Sequence, residues 1–238
     1  MPRSTVVWAQ ALVLIALLGV FLSIFTPETS PASILFRSKH NWLNVYFVKF
    51  GWAWTSIAFA YTLPALSNTS SVSRALKRYA IATAYWFFLT QWFLGPSVLD
   101  RVFVHSGGLC RPVTEGTDTS EGLEPSLNHP AWHSFVTSRE CKTAGGIWSG
   151  GHDVSGHAMI LAHSILFLVH EVQGIRGKPY TVILSICFLW SWMLLTTTVW
   201  FHPWAEIFTG LLCGLGFGLS MNLWGWEALG MGRQMNQD

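Results

Sequence analysis

Charge is what this chain has least of. Only 11% of its 238 residues are Asp, Glu, Lys or Arg, and the formal net charge is +2. There is no basic stripe for a phosphate backbone, so nucleic acid is excluded as a partner. Cysteine is scarce as well, with four residues, which is too few for a disulfide scaffold. No period of 20–50 residues recurs, so a solenoid is excluded. No histidine or cysteine spacing matches a familiar zinc pattern: His152 and His157 are five apart, which suits neither one helix face nor a zinc motif. No metal and no cofactor is expected.

What is abundant is apolar surface. Hydrophobic residues make up 51% of the chain and 14 residues are Trp, a composition that points to a polytopic membrane protein rather than a soluble domain. Six windows are long and apolar enough to cross a bilayer as helices, near 6–25, 45–66, 80–99, 155–172, 180–201 and 204–224. The expected fold is therefore all-α, one membrane domain over 1–238 with six transmembrane helices. The first window is too long for a signal-peptide core and no small-residue cleavage site follows it, so it reads as an anchor. His202-Pro203 alone separates the fifth and sixth windows, and proline removes a helical donor where the chain must reverse.

Six spans put both termini on the side of segments 67–79 and 173–179, whose Arg74, Lys77, Arg78, Arg176 and Lys178 have no acidic neighbours within those segments. Positive charge next to short connections favours the cytosol. The termini are expected there, with the segment 100–154 between the third and fourth spans on the lumenal or extracellular side. That segment holds Cys110 and Cys141, which in an oxidising compartment either pair, closing a loop of about 30 residues, or stay free. Its middle, Thr114 to His129, reads as flexible loop, and Val102 to Val113 and Trp132 to Trp148 as interfacial aromatic stretches. Asn68-Thr69-Ser70 is a formal glycosylation acceptor that this topology leaves unmodified in the cytosol.

Two histidines carry the chemistry. His157 closes the run Gly-Gly-His-Asp-Val-Ser-Gly-His at the start of the fourth span, and His202 sits in Phe-His-Pro-Trp at the end of the fifth. Whichever way the chain is inserted, both imidazoles lie on one face of the bilayer. Ser155 and Gly156 stand where the fourth helix begins, with unpaired backbone donors and a positive dipole end that favours phosphate. Glu206 follows His202 by four residues, placed to hold the imidazole in the tautomer that leaves its other nitrogen free for attack. A carboxylate in the bilayer costs about 2.5–3.5 kcal/mol at mid-depth and less near the surface, so Glu206 is a functional candidate. His163 and His170, seven apart, are expected to line the bundle; His105, His129 and His133 read as loop residues. Gly210, Gly214 and Gly218 repeat every four residues and read as a helix-packing surface.

His152-Asp153-Val154-Ser155-Gly156-His157 leading into a span, Phe201-His202 followed by Glu206 before a Gly-rich span, and Leu94-Gly95-Pro96-Ser97 to Asp100-Arg101 resemble the fat storage-inducing transmembrane (FIT) family over most of the chain. That family is in turn similar to the lipid phosphate phosphatases. Ser155-Gly156-His157 matches their PSGH signature except that Val154 replaces proline, and His202 with Glu206 matches HxxxD with glutamate for aspartate. Leu195 and Thr196 stand where Ser-Arg would be, and Val104 where a lysine would precede Arg111. The arginine clamp is incomplete, which suits a less charged phosphoric anhydride better than a phosphomonoester.

The resemblance implies an endoplasmic reticulum enzyme, multi-pass and with a lumenal site, that cleaves the diphosphate of fatty acyl-CoA to acyl 4′-phosphopantetheine and adenosine 3′,5′-bisphosphate. It implies support of lipid droplet formation and membrane lipid homeostasis. His157, His202 and Glu206 are the implied catalytic set, with Ser155, Gly156, Asp153 and Arg111 binding substrate. Two other readings share these residues: a non-enzymatic protein that partitions diacylglycerol or triacylglycerol among apolar spans, and a phosphatase acting on phosphatidate.

Overall fold

A computed structural model describes residues 3–26, 41–66, 69–91, 95–112 and 134–230. Asn68, Leu94, Val113, His129, Trp132, His133 and the whole Thr114–His129 stretch lie outside the described residues, as do Arg37, Lys39 and Arg233. The chain divides into two compact units, Met1–Thr83 with Ser155–Asp238, and Ala84–Val154.

The first unit is a helical assembly. Helix α1 spans Arg3–Phe25; a π-helical turn over Asn44–Val48 precedes α2 (Gly51–Thr62), and α3 spans Thr69–Thr90, its residues from Ala84 on counted in the second unit. After the second unit come α6 (Gly156–Glu171), α7 (Lys178–Trp200) and α8 (Trp204–Ser220), then a π turn over Met221–Gly225 that leads to the short α9 (Trp226–Ala228). Three described stretches are long and apolar enough to cross a membrane: Ser4–Phe25, Lys178–Trp200 and Trp204–Leu223. The chain is thus a mostly helical membrane protein.

The other windows differ from expectation in instructive ways. The window 45–66 is not one helix but a π turn, α2 and a 3-10 turn at Leu63–Ala65, because Pro64 has no donor for a continuing helix. The window 80–99 is corrected at both ends: α3 starts at Thr69 and ends at Thr90. Its first turns carry Arg74, Lys77 and Arg78, which hydropathy reads as loop. Arg78 is buried, and its guanidinium grips Glu171 bidentately, Nε to Oε1 at 2.5 Å and Nη2 to Oε2 at 2.7 Å. It therefore belongs to the helix interior rather than to a cytosolic cluster.

Helix α6 is the centre of this unit. Every residue from Ala158 to Glu171 is buried, and α1, α2, α7 and α8 all pack on it. Its contacts with α8 run in parallel. A Cβ on Gly210 would lie 2.3 Å from the Ser155 carbonyl oxygen, one on Gly214 2.5 Å from that of Met159, and one on Gly218 2.6 Å from Leu166 Cδ1. The four-residue glycine stripe is thus the packing face expected of it, and it lets two backbones touch where side chains would hold them apart. Gly214→Leu is expected to force α8 off α6, seen as loss of a cooperative thermal transition in detergent; an unchanged transition would contradict this packing.

His163 and His170 line the interior, as expected. His163 Nε2 pairs with the Ala82 carbonyl at 3.1 Å and its ring stacks on Trp52 at 4.9 Å. His170 Nδ1 bonds the side-chain oxygen of Asn222, which the π turn presents. At this end of the unit Gln173 donates to Ser4 Oγ at 3.2 Å and Thr5 Oγ1 at 3.3 Å, and His170 lies 6.1 Å from the Trp226 ring. The start of α1, the turn after α6 and the residues after α8 therefore share one end. Ser155 stands at the other, about 24 Å away along a helix of this length.

The second unit holds α4 (Val98–His105), β1 (Leu109–Arg111), α5 (Ser138–Thr143) and β2 (Ile147–Ser149). Ser97 caps α4 through the Asp100 N–H, and Thr137 caps α5 through the Glu140 N–H. Asp100 also accepts from the Ser138 N–H at 3.1 Å, tying the two helices together. The strands pair antiparallel, Cys110 opposite Trp148, and Cys110 and Cys141 form a disulfide. Trp148 stacks on Phe103 at 4.5 Å. What reads in sequence as interfacial aromatics is here a small folded module, and His105 is corrected from a loop residue to the last residue of α4. Closing a loop of this length stabilises by about 2–4 kcal/mol. Reduction is therefore expected to speed hydrogen exchange at Leu109–Arg111 and Ile147–Ser149; unchanged protection would contradict it.

Candidate active site

The site forms because α6 and α8 run parallel and begin side by side. The Ser155 N–H donates to the Glu206 carbonyl oxygen at 3.0 Å, joining the residue before α6 to the first turn of α8. Gly210, one turn further on, is what permits that approach. Two helix starts, each a positive dipole end, thus open on the same place. Ser155 caps α6, its hydroxyl accepting from the Ala158 N–H at 3.3 Å. Pro203 occupies the corresponding position before α8 and offers no side-chain cap.

His202 lies in the turn between α7 and α8, and its Nδ1 meets Glu206 Oε2 at 2.7 Å. Their side chains are 20% and 15% exposed, so the pair is sheltered yet reachable. With Nδ1–H donated to the carboxylate, Nε2 keeps its lone pair for attack on an electrophile. His157, in the first turn of α6, is half-buried, and its ring stands edge-to-face with Phe201, centroids 6.3 Å apart at 81°. A histidine as nucleophile, a second histidine for proton transfer, and converging helix starts for an anion make a set suited to phosphoryl transfer.

Ser155, Gly156, His157, His202 and Glu206 come together within the first unit. Arg111 and Asp153 are exposed residues of the second unit, Arg111 on β1 with its Nη2 3.6 Å from the Cβ position of Gly150. Thr196 is buried in α7, its hydroxyl bonded to the Met193 carbonyl, so this part of α7 offers no anion clamp. Among the described residues no three His, Cys, Asp or Glu side chains gather as a metal site would require. Sequence reasoning missed Phe201 as a contact of His157 and Gly210 as the residue that brings the two helix starts together. The adjacency of Phe201 to His202 was the one available signal.

A family model described as fat storage-inducing transmembrane protein matches residues 32–182 and 174–221. The chain is similar to the acyl-coenzyme A diphosphatase fit1 of Schizosaccharomyces pombe, 37% identical over 205 residues that cover 84% of this chain and 76% of that one. It is similar also to the acyl-coenzyme A diphosphatase FITM2 of Sus scrofa, 32% identical over 235 residues (90% and 79%). The FITM2 protein of Homo sapiens is 31% identical over 229 residues (86% and 77%). No solved structure matches the chain.

Proposed function

This chain belongs to the fat storage-inducing transmembrane family, and from that premise we propose that it is a fatty acyl-CoA diphosphatase. It hydrolyses the phosphoric anhydride of acyl-CoA to acyl 4′-phosphopantetheine and adenosine 3′,5′-bisphosphate. The observation that carries the reading is the His202–Glu206 pair at 2.7 Å beside the Ser155 helix start.

In the first step His202 Nε2 attacks one phosphorus, the N–P bond forms and the bridging P–O bond breaks. His157 gives a proton to the departing phosphate oxygen. In the second step water attacks the same phosphorus, His157 takes its proton, and the N–P bond breaks to return free His202. Ser155, Gly156 and the N–H groups of both helix starts hold the phosphoryl oxygens. An anhydride flanked by two esters bears less charge at each phosphorus than a phosphomonoester, so helix starts serve where an arginine clamp is missing.

We place the chain in the endoplasmic reticulum membrane, crossing six times through α1, α2 with its π turn, α3, α6, α7 and α8. The termini are cytosolic and residues 100–154 are lumenal with the site. Helix α6, about 24 Å long, is shorter than the hydrocarbon thickness, and its neighbours enclose it, so the site is recessed. Trp204, 63% exposed beside the catalytic pair, suits a membrane–water boundary. There the acyl tail stays in lipid while the diphosphate reaches the histidines. In this role the activity supports lipid droplet formation and membrane lipid homeostasis, and the spans meet membrane lipids including diacylglycerol and triacylglycerol.

Purified protein in detergent is expected to release adenosine 3′,5′-bisphosphate from oleoyl-CoA faster than it releases phosphate from phosphatidate. The reverse order would make it a lipid phosphate phosphatase, and neither activity, with neutral-lipid binding retained, a lipid-partitioning protein.

A further inference from the structure

The end of the first unit opposite the catalytic pair collects positive charge. Two contacts fix which segments lie there: Arg78 reaches Glu171, and further along α3 the Ala82 carbonyl meets His163, nearer the start of α6. Helix α3 thus runs antiparallel to α6, and its first turns, Thr69 to Lys77, extend past the end of α6. Helix α7 begins here too, with Lys178, and Gln173 ties in the start of α1 through Ser4 and Thr5. None of these three helices carries an acidic residue in its first turn, where a carboxylate would offset the positive dipole end. They bring cations instead. Lys77, Arg176 and Lys178 are exposed, and Arg74 is half-buried beside Ser71. Among the described residues the acids at this end are Glu227 and Glu171, and Glu171 is buried with Arg78.

The surface next to these cations is apolar. Leu76 is exposed beside Lys77, and Lys178 heads a stripe of α7 that continues at helical spacing through Thr181, Ser185, Phe188 and Trp192, all of them exposed. Ser4–Phe25 and Lys178–Trp200 are long and apolar enough to cross a membrane, so their starts stand at its surface. A soluble anion would meet the cations alone. A phospholipid meets both features, its phosphate at the cations and an acyl chain along the Phe188 and Trp192 stripe.

We propose that this end of the protein binds the headgroup of an anionic phospholipid, with Arg74, Lys77, Arg176 and Lys178 as its phosphate contacts. The site is separate from the diphosphatase chemistry and stands whether or not that reading does. It gives the four cations a ligand in the folded protein, beyond any effect on orientation during insertion.

The test is native mass spectrometry of the purified full chain in detergent, where there is no leaflet and orientation plays no part. Dioleoyl phosphatidylinositol and dioleoyl phosphatidylcholine are added in equal amounts, so that the headgroup alone differs. Each cation near an anionic surface strengthens association about fivefold. The parent is therefore expected to retain phosphatidylinositol over phosphatidylcholine by at least about tenfold, and Arg74→Gln/Lys77→Gln/Arg176→Gln/Lys178→Gln by less than about twofold, with its thermal transition kept. Should the fourfold variant fail to fold, Arg74→Gln/Lys77→Gln and Arg176→Gln/Lys178→Gln are each expected to lose about half of the preference on a logarithmic scale. Arg139→Gln/Lys142→Gln, which removes as much charge as either pair but from the second unit, is expected to leave the preference unchanged. No preference in the parent would overturn the site. So would a preference that survives in the fourfold variant or in both pairs, or an equal loss from Arg139→Gln/Lys142→Gln. Displacement of the lipid by an equal concentration of myo-inositol 1-phosphate would overturn the lipid as ligand in favour of a soluble phosphate.

Discussion

Replacing His202 by alanine is expected to lower hydrolysis of oleoyl-CoA by at least about a hundredfold while the protein keeps its thermal transition. The side chain lies in the turn between α7 and α8, bonded through Nδ1 to Glu206 at 2.7 Å and 20% exposed. Its loss should therefore remove chemistry and leave the fold. Glu206→Gln is expected to act in the same direction with a smaller effect, because the amide oxygen still accepts the Nδ1 proton but no longer stabilises charge that develops on the ring. The backbone bond from Ser155 to the Glu206 carbonyl does not depend on the side chain, so the two helix starts stay together in that variant. Rates of product release for parent, His202→Ala and Glu206→Gln, each with its melting curve, check this; a parental rate in His202→Ala would remove it as nucleophile.

The second large effect is expected far from the chemistry. Arg78 and Glu171 are 3% and 2% exposed and joined by two short bonds. Removing one partner of a buried pair leaves the other charge in a medium that solvates it poorly, at about 3–5 kcal/mol. Glu171→Ala should accordingly unfold or severely destabilise the chain. Arg78→Lys should recover little, since an ammonium lacks the planar fork that matches both carboxylate oxygens. The double change Arg78→Met with Glu171→Leu removes both charges and is expected to recover much of the loss. Thermal transitions of the single and double variants decide the matter, and equal destabilisation by all three would show that the ion pair is not what holds α3 to the end of α6.

Much of the site was legible because its chemistry is written in local runs. Ser155-Gly156-His157 opens a helix and His202 stands one turn before Glu206, so helical spacing alone foretold both the cap and the Nδ1 contact. Counting spans put the two runs on one side of the bilayer but did not bring them together; the parallel course of α6 and α8, with the Ser155 N–H on the Glu206 carbonyl, does that. The long apolar helices α1, α7 and α8 were legible for the same reason that they are stable in lipid. The start of α3 was not. A hydropathy window reads Arg78 as a surface charge, and only the tertiary contact with Glu171, 93 residues away, turns it into an interior residue. The break in the 45–66 window had a local signal, Pro64, which a window average dilutes. The second unit was illegible because three-residue strands and short helices have no measurable period. Its order depends on contacts distant in sequence, the Cys110–Cys141 bond and the Phe103–Trp148 stack.

The account stands or falls on the covalent step at His202. The most direct measurement is peptide mass spectrometry of the protein quenched in alkali during turnover of oleoyl-CoA, where a phosphorus–nitrogen adduct survives. The account predicts an adduct on the peptide that contains His202, absent in His202→Ala, with a mass that identifies which half of the diphosphate was attacked. Steady turnover with no adduct, or an adduct on another residue, would contradict it.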